Sequence, residues 1–325
     1  MTANVFILAE HLGGRLTDAT FELLAMGREL ATGLGVQLQA VLLAAKADAL
    51  AAGLGAADGV LAVEHDSLSE MTPETYAHAL EALLRDRKPR ALLVPGTNQC
   101  LGLTAMLSVA LDRPCANWCR AMKAEQGAIT ATCTLYGGKM EAEVKLPAEC
   151  ALVSVAPGAA QADKGRSDKA PPVERWAMPA QAATKVKYRQ TLPPPPGDID
   201  ITQSEVLVSV GRGLGGQENL GQARELAELL GGALSASRPL VDQGWLPSTR
   251  QVGKSGMIVK PRLYLALGIS GAPEHVEGMR GAKLVVAINT DPKAPIFDVA
   301  KVGAELDVLD FIPAFTEEVR KRKGN

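Results

Sequence analysis

Two short apolar runs within residues 261–297 (PRLYLALGISGAPEHVEGMRGAKLVVAINTDPKAPIF) limit the fold more than any other feature of the chain. Leu263–Leu267 and Leu284–Ile288 have the length and branching of strands buried in a parallel sheet. Each stops in small and polar residues: Gly268-Ile269-Ser270-Gly271 after the first, Asn289-Thr290-Asp291-Pro292 after the second. In open α/β sheets, ligands bind where strands end at their carboxyl edge. His275 lies just past the first of these ends. The stretch therefore reads as part of a bound-cofactor site.

The first half of the chain alternates strand and helix. Strands are expected at Val5–Ala9, Gln37–Leu43, Gly59–Val63 and Ala91–Val94. Thr17–Leu34 reads as a helix that stops at Gly35, and a second begins at Thr72 with Pro73 in its first position. A third covers Leu101–Leu111. Strands alternating with helices argue a parallel sheet covered on both faces. After Pro114, Ala128–Leu135 and Met140–Leu146, joined by Tyr136-Gly137-Gly138-Lys139, read as an antiparallel pair, and Ala151–Val155 adds a strand. The run Leu192-Pro193-Pro194-Pro195-Pro196-Gly197 is a semi-rigid spacer. The expected organisation is an N-terminal α/β domain at 1–190, a Pro-rich linker at 191–203 and a second α/β domain at 204–325.

Composition excludes several classes. A formal net charge of -2 and 4% aromatic residues give no electrostatic or stacking surface for nucleic acid. The cysteines, Cys100, Cys115, Cys119, Cys133 and Cys150, form no CxxC pair, so neither a disulfide framework nor a zinc site is expected. No apolar run approaches the roughly 20 residues of a membrane span, and no basic leader precedes the first strand. The expected location is the cytoplasm.

The second half opens with a strand at Glu205–Val210, then Gly211-Arg212-Gly213-Leu214-Gly215-Gly216, then a helix with Leu220, Ala223, Ala227 and Leu230 on one face. This is G-x-G-x-x-G between strand and helix, where exposed amides cradle a pyrophosphate. An NAD fold would place an acid at the end of the next strand. Here Gly232–Ser235 leads to Ala236-Ser237-Arg238, and no carboxylate comes before Asp242. An arginine suits a 2′-phosphate, so an NADP-dependent dehydrogenase stays open on local grounds. So does a non-redox nucleotide-binding module. A final strand is expected at Glu305–Leu309 and a charged helix at Thr316–Lys323.

Taken in order, these loops resemble the electron-transfer flavoprotein α-subunit family. The matching pieces are Gly211-Arg212-Gly213, Ala236-Ser237-Arg238 with Val241-Asp242, Gln251-Val252-Gly253, Pro261 with Tyr264, and Gly268-Ile269-Ser270-Gly271-Ala272 with His275. They continue through Gly278-Met279, Val286-Ala287-Ile288-Asn289, Asp291-Pro292, Ala294-Pro295-Ile296-Phe297 and Asp307. The resemblance implies a nucleotide-hydrolase-like parallel-sheet α/β domain followed by a Rossmann-like, doubly wound FAD-binding domain. It also implies a heterodimer with a β subunit that carries AMP or, in electron-bifurcating members, a second FAD. Donors would be flavin dehydrogenases, typically acyl-CoA dehydrogenases of fatty acid β-oxidation. The acceptor would be a membrane quinone oxidoreductase. Within the family, an NADH-oxidising bifurcating member is the alternative.

Carried over by position, Arg212 lies near the adenosine–phosphate portion of FAD, and Ser237 and Arg238 contact the cofactor at its ring system. Val252, Gly253, Lys254 and Ser255 form the loop beside flavin N5, with Ser255 supplying a hydroxyl. Ser270, Gly271, Ala272, Pro273, Glu274 and His275 wrap the ribityl chain and pyrophosphate and bring the imidazole to the N1/O2 edge. Asn289, Asp307 and Val308 hold the adenosine end. A cation or hydrogen-bond donor at N1/O2 stabilises negative charge on a reduced flavin; His275 and Arg238 are the natural suppliers, and their charge is expected to raise its potential. Three departures from the family stand out. Pro273-Glu274 replaces Ile-Gln, Lys254 stands where glutamine is common, and the stretch after Gly96 lacks its usual basic residues.

Overall fold

The computed structural model describes residues 3–147, 149–180, 184–191 and 198–324. The Pro-rich run at 192–197 lies outside the described residues. The chain divides into two compact units, Met1–Gln190 and Thr191–Asn325.

The first unit is built on a nine-stranded sheet. Its strands are β1 (Val5–Ala9), β2 (Leu38–Ala44), β3 (Gly59–Glu64), β4 (Ala91–Pro95), β5 (Cys115–Glu125), β6 (Ala128–Leu135), β7 (Met140–Lys145), β8 (Ala151–Val155) and β9 (Val173–Arg175). They lie in the order β9-β3-β2-β1-β4-β8-β5-β6-β7. All neighbours are parallel except β5–β6 and β6–β7. The apolar runs are continuous because both faces are covered: Val5, Ile7 and Ala9 join one core, Phe6 and Leu8 the other. Helices α1 (Asp18–Leu34), α2 (Pro73–Arg87) and α3 (Leu103–Leu111) follow the strands as the periodicity predicts.

Two strands of this unit escape the sequence pattern. In β5, Trp118 adopts a left-handed φ of 57°, and the pairing with β6 slips between Cys119 and Ala121. A bulge of this kind breaks the period of two. The edge strand β9 is short and exposed, which leaves no apolar signature.

The second unit is a five-stranded parallel sheet of β10 (Val206–Val210), β11 (Ala233–Ala236), β12 (Leu263–Leu267), β13 (Leu284–Asn289) and β14 (Val302–Glu305). The order β11-β10-β12-β13-β14 is doubly wound, with its topological switch point between β10 and β12. Val208, Val210, Leu265 and Leu267 fill one core with α4 (Leu220–Leu229) and α7 (Val308–Lys323). Leu207, Tyr264 and Ala266 face the other, beside α6 (Pro273–Met279). At the unit's entry, Asp198 pairs with Arg250 at 2.5 Å and accepts a hydrogen bond from Thr249. Burial opposes the ionised carboxylate of Asp198, but Thr249 and Arg250 outweigh it and hold the carboxyl below its usual range.

The final strand departs from expectation. It spans Val302–Glu305, and the chain turns at Asp307 into α7 instead of continuing to Leu309. Asp307 accepts the Leu309 amide at 2.8 Å, and this N-cap overrides the strand-like Val308-Leu309 pair. Asp307→Ala is expected to lower the unfolding free energy by about 1 kcal/mol, and Asp307→Asn by much less, since asparagine caps as well. Urea unfolding of the two variants checks the order.

Candidate functional site

The loops at the carboxyl ends of β10 and β12 meet at the switch point. The Gly211 amide donates to Leu267 O at 2.9 Å and the Gly213 amide to Gly268 O at 3.0 Å. A Cβ on Gly213 would lie 2.6 Å from Gly268 Cα, and Gly268 itself has a φ of +65°. The glycines are there because two backbones cross in contact. The loop does not form the helix-opening pyrophosphate cradle that its glycine spacing predicts. Its helix, α4, begins only at Leu220, after two turns of 3-10 helix, so Gly215 and Gly216 do not open it. Arg212 and Gly213 alone of the motif face the site.

The other walls come from neighbouring connections. Ser237 follows β11 and precedes the short helix α5 (Arg238–Asp242), in which Arg238 Nε sits 3.3 Å from Asp242. The Val252 amide returns to Ala236 O at 2.9 Å, which brings the Val252–Ser255 loop against β11. That loop is seated on α6: a Cβ on Gly278 would meet Gly253 N at 2.3 Å, and the Lys254 amide donates to Glu274 O at 2.7 Å. Gln251 Nε2 donates to Ser255 Oγ at 2.9 Å. Asn289 Nδ2 donates to Ile269 O at 2.8 Å, which ties the ends of β12 and β13 together.

These loops enclose a cavity of about 520 Å³, within the usual range for small-molecule sites. Arg212, Ser237, Arg238, Val252, Gly253, Lys254, Ser255, Ser270, Ala272, Glu274, His275 and Asn289 line it, as the sequence reading grouped them. Gly213, Pro239, Gln251, Gly268 and Ile269 also line it and were not among the expected site residues. Gly268 had a signal, a glycine closing an apolar run. Gly271, Pro273, Asp307 and Val308 are not in the lining. Gly271 takes a φ of +83° against the backbone of Ile296, Asp307 caps α7, and Val308 packs in the core.

Electrostatically the cavity suits an anion. Arg212, Arg238 and Lys254 are in its lining, beside one carboxylate, Glu274. Lys254 Nζ lies 3.8 Å from Glu277 of α6.

His275 differs from the sequence reading. It is 6% exposed, with Nε2 2.9 Å from the Tyr264 hydroxyl, which in turn is 2.7 Å from Ser209 Oγ. Burial pushes the imidazole down to about 4, which the nearby backbone of Val252 only partly opposes. The expected cation is therefore a neutral ring at pH 7, and the cavity's positive charge comes from its arginines and lysine. Nδ1 is buried with no well-formed hydrogen bond. An orphaned polar atom at a cationic cavity fits a large, polar, anionic cofactor such as FAD, which offers pyrophosphate oxygens to the cations and carbonyl oxygens to a neutral donor. Among the described residues no His, Cys, Asp and Glu cluster suits a metal, and no helix is long and apolar enough to cross a membrane.

The sequence matches two family models. Residues 200–280 match the electron transfer flavoprotein FAD-binding domain, and residues 5–181 the electron transfer flavoprotein domain. The electron transfer flavoprotein subunit alpha of Thermoanaerobacterium thermosaccharolyticum is 34% identical over 327 residues, covering 98% of each chain. Protein FixB of Rhizobium meliloti is 35% identical over 338 residues, covering 98% of this chain and 93% of its own. The acryloyl-CoA reductase electron transfer subunit beta of Anaerotignum propionicum is 30% identical over 354 residues, covering 99% of this chain and 96% of its own.

Proposed function

We propose, from the premise that this chain belongs to the electron-transfer flavoprotein α-subunit family, that it holds FAD in the switch-point cavity and carries electrons between protein partners. The observation that carries this reading is one cavity lined by Arg212, Arg238, Ser255, Ser270, His275 and Asn289. Bound FAD supplies the redox chemistry, since it accepts electron pairs and releases electrons singly. Everything else is positioning and electrostatics by the chain. Arg212 and the loop at Ser270 would hold the pyrophosphate and Asn289 the adenosine end, with Asp307 and Val308 contributing through the cap and packing of the helix that follows. Ser255 would offer its hydroxyl hydrogen to flavin N5, since Gln251 already donates to its oxygen. Arg238 would lie on the ring side, where a positive charge favours the reduced, negatively charged cofactor.

The partners in this reading are a β subunit carrying AMP or a second FAD, acyl-CoA dehydrogenase-type donors and a membrane quinone oxidoreductase as acceptor, in the cytoplasm. Residues 1–190 are the β-contacting domain and 204–325 the FAD holder. A relative named as an acryloyl-CoA reductase electron transfer subunit supports a redox partner of the acyl-CoA class, which in that protein stands on the electron-accepting side. The test is co-expression with an electron-transfer flavoprotein β subunit. The expected product shows flavin absorbance and is reduced by an acyl-CoA dehydrogenase with its substrate. A colourless heterodimer that takes up no added FAD removes the assignment. Rapid bleaching by NADH alone replaces the acyl-CoA donor with the bifurcating alternative.

A further inference from the structure

The second unit buries a row of hydroxyls in an otherwise apolar layer. Ser209 on β10 and Ser235 on β11 are directly paired in the parallel register, and Tyr264 on β12 faces the same side of the sheet. All three are 0% exposed. Buried hydroxyls cost stability unless they are hydrogen-bonded, so a polar layer under the cofactor site asks for a reason.

Tyr264 has one hydrogen to give and two neighbours to receive it, Ser209 Oγ at 2.7 Å and His275 Nε2 at 2.9 Å. Hydroxyl hydrogens rotate to suit their surroundings, and neutral imidazole keeps one donor and one acceptor nitrogen. With Nε2 facing Tyr264, the remaining polar neighbour is the backbone of Val252, which favours a ring proton. An arrangement that pairs both Tyr264 contacts runs from Ser209 O–H to Tyr264 Oη and from Tyr264 O–H to Nε2, with the imidazole hydrogen on Nδ1; Ser235 Oγ and that Nδ1 are the atoms it leaves without a close partner.

We propose that Tyr264 is a positioning residue: it fixes His275 as the Nδ1–H tautomer and leaves that N–H, on the Val252 wall of the cavity, as a neutral donor to the bound cofactor. The donor half of this statement rests on the FAD assignment; the tautomer does not. Ser209 donates to Tyr264 Oη in this arrangement but is not required for it, because without Ser209 the Tyr264 hydrogen has His275 Nε2 as its acceptor.

The test is nitrogen NMR of the full chain labelled with ¹⁵N-histidine, in which His275 is one of four histidines, assigned by His275→Gln. In flavin-free protein, His275 should show a protonated Nδ1 and a bare Nε2. Tyr264→Phe should lower the Nδ1–H to Nε2–H ratio at least about tenfold, the worth of one buried hydrogen bond. Ser209→Ala should leave the tautomer in place, because Tyr264 keeps its proton for Nε2. In the heterodimer, Tyr264→Phe should raise the FAD dissociation constant about tenfold. A bare Nδ1 in the unaltered chain, an unmoved ratio in Tyr264→Phe, or a flip in Ser209→Ala overturns the relay. An unchanged dissociation constant overturns the donor role. If the unaltered heterodimer takes up no FAD, the cofactor assignment falls and the donor role with it, while the flavin-free spectra still decide the tautomer. Should Tyr264→Phe not fold, the unaltered and Ser209→Ala spectra decide.

Discussion

Replacing Gly213 with valine should abolish flavin retention. The Gly213 amide is bonded to Gly268 O, and the position where a Cβ would stand is 2.6 Å from Gly268 Cα and 3.1 Å from Gly268 O. Both obstacles are backbone. Gly268 cannot retreat cheaply, since its amide is held by Ile288 O at 2.9 Å and its φ of +65° is already set by the turn out of β12. A valine therefore has to push the two cavity-forming loops apart, a strain of about 1–3 kcal/mol or more. Arg212 and Ser270 would be displaced with them, and we expect FAD affinity to fall at least about hundredfold, roughly 2.7 kcal/mol. Gly215→Ala is the control. Its φ is +82°, yet the nearest atom to a Cβ there is 3.7 Å away. It should cost about 1–2 kcal/mol of stability through backbone strain alone with FAD affinity nearly unchanged. Fluorescence titration with FAD and urea unfolding of both variants separate crowding from strain. Equal flavin affinity in the two would mean that the Gly213–Gly268 crossing does not shape the site.

Much of this was legible in the residues because burial on both faces of a parallel sheet writes itself as uninterrupted apolar runs. Val5–Ala9, Leu263–Leu267 and Leu284–Ile288 are strands of that kind, and residues that end the last two, Gly268, Ile269, Ser270 and Asn289, line the cavity. Where the pattern failed, a local device was at work: the left-handed Trp118 and its bulge hid β5, and the Asp307 cap cut short the last strand. The site was legible as a set of loops but not as an electrostatic object. Which residues face inward depends on close crossings, Gly213 on Gly268 and Gly278 on Gly253, that lie far apart in sequence. The charge of His275 depends on its burial in the fold, which the sequence around it does not announce. A loop histidine in a flavin motif reads as a cation; the same residue 6% exposed against a buried tyrosine is not one.

That difference gives the second large effect, a loss of stability on mild acidification. His275 titrates at about 4 in the folded chain because burial disfavours the imidazolium, and at about 6.5 when unfolded. Between these values the unfolded chain binds a proton that the folded chain does not, so stability falls as the pH drops from about 6.5 toward 4. The size is set by the separation of the two values, about 3 kcal/mol for the whole window. Other charged groups lie nearby. Glu274 and Glu277 share the helix of His275, Lys254 faces it from the adjoining loop, and Asp198 with its depressed carboxyl also loses stability in acid. They are common to the parent and a His275→Gln variant, so they cancel in the difference. Urea unfolding of both flavin-free chains from pH 7.5 to 4 should show the variant's stability curve flatter by up to about 3 kcal/mol, whichever protein is the more stable at neutral pH. Parallel curves would mean that His275 keeps an ordinary pKa and carries charge near neutrality. In that case the imidazole, and not only the arginines, would set the field at the flavin.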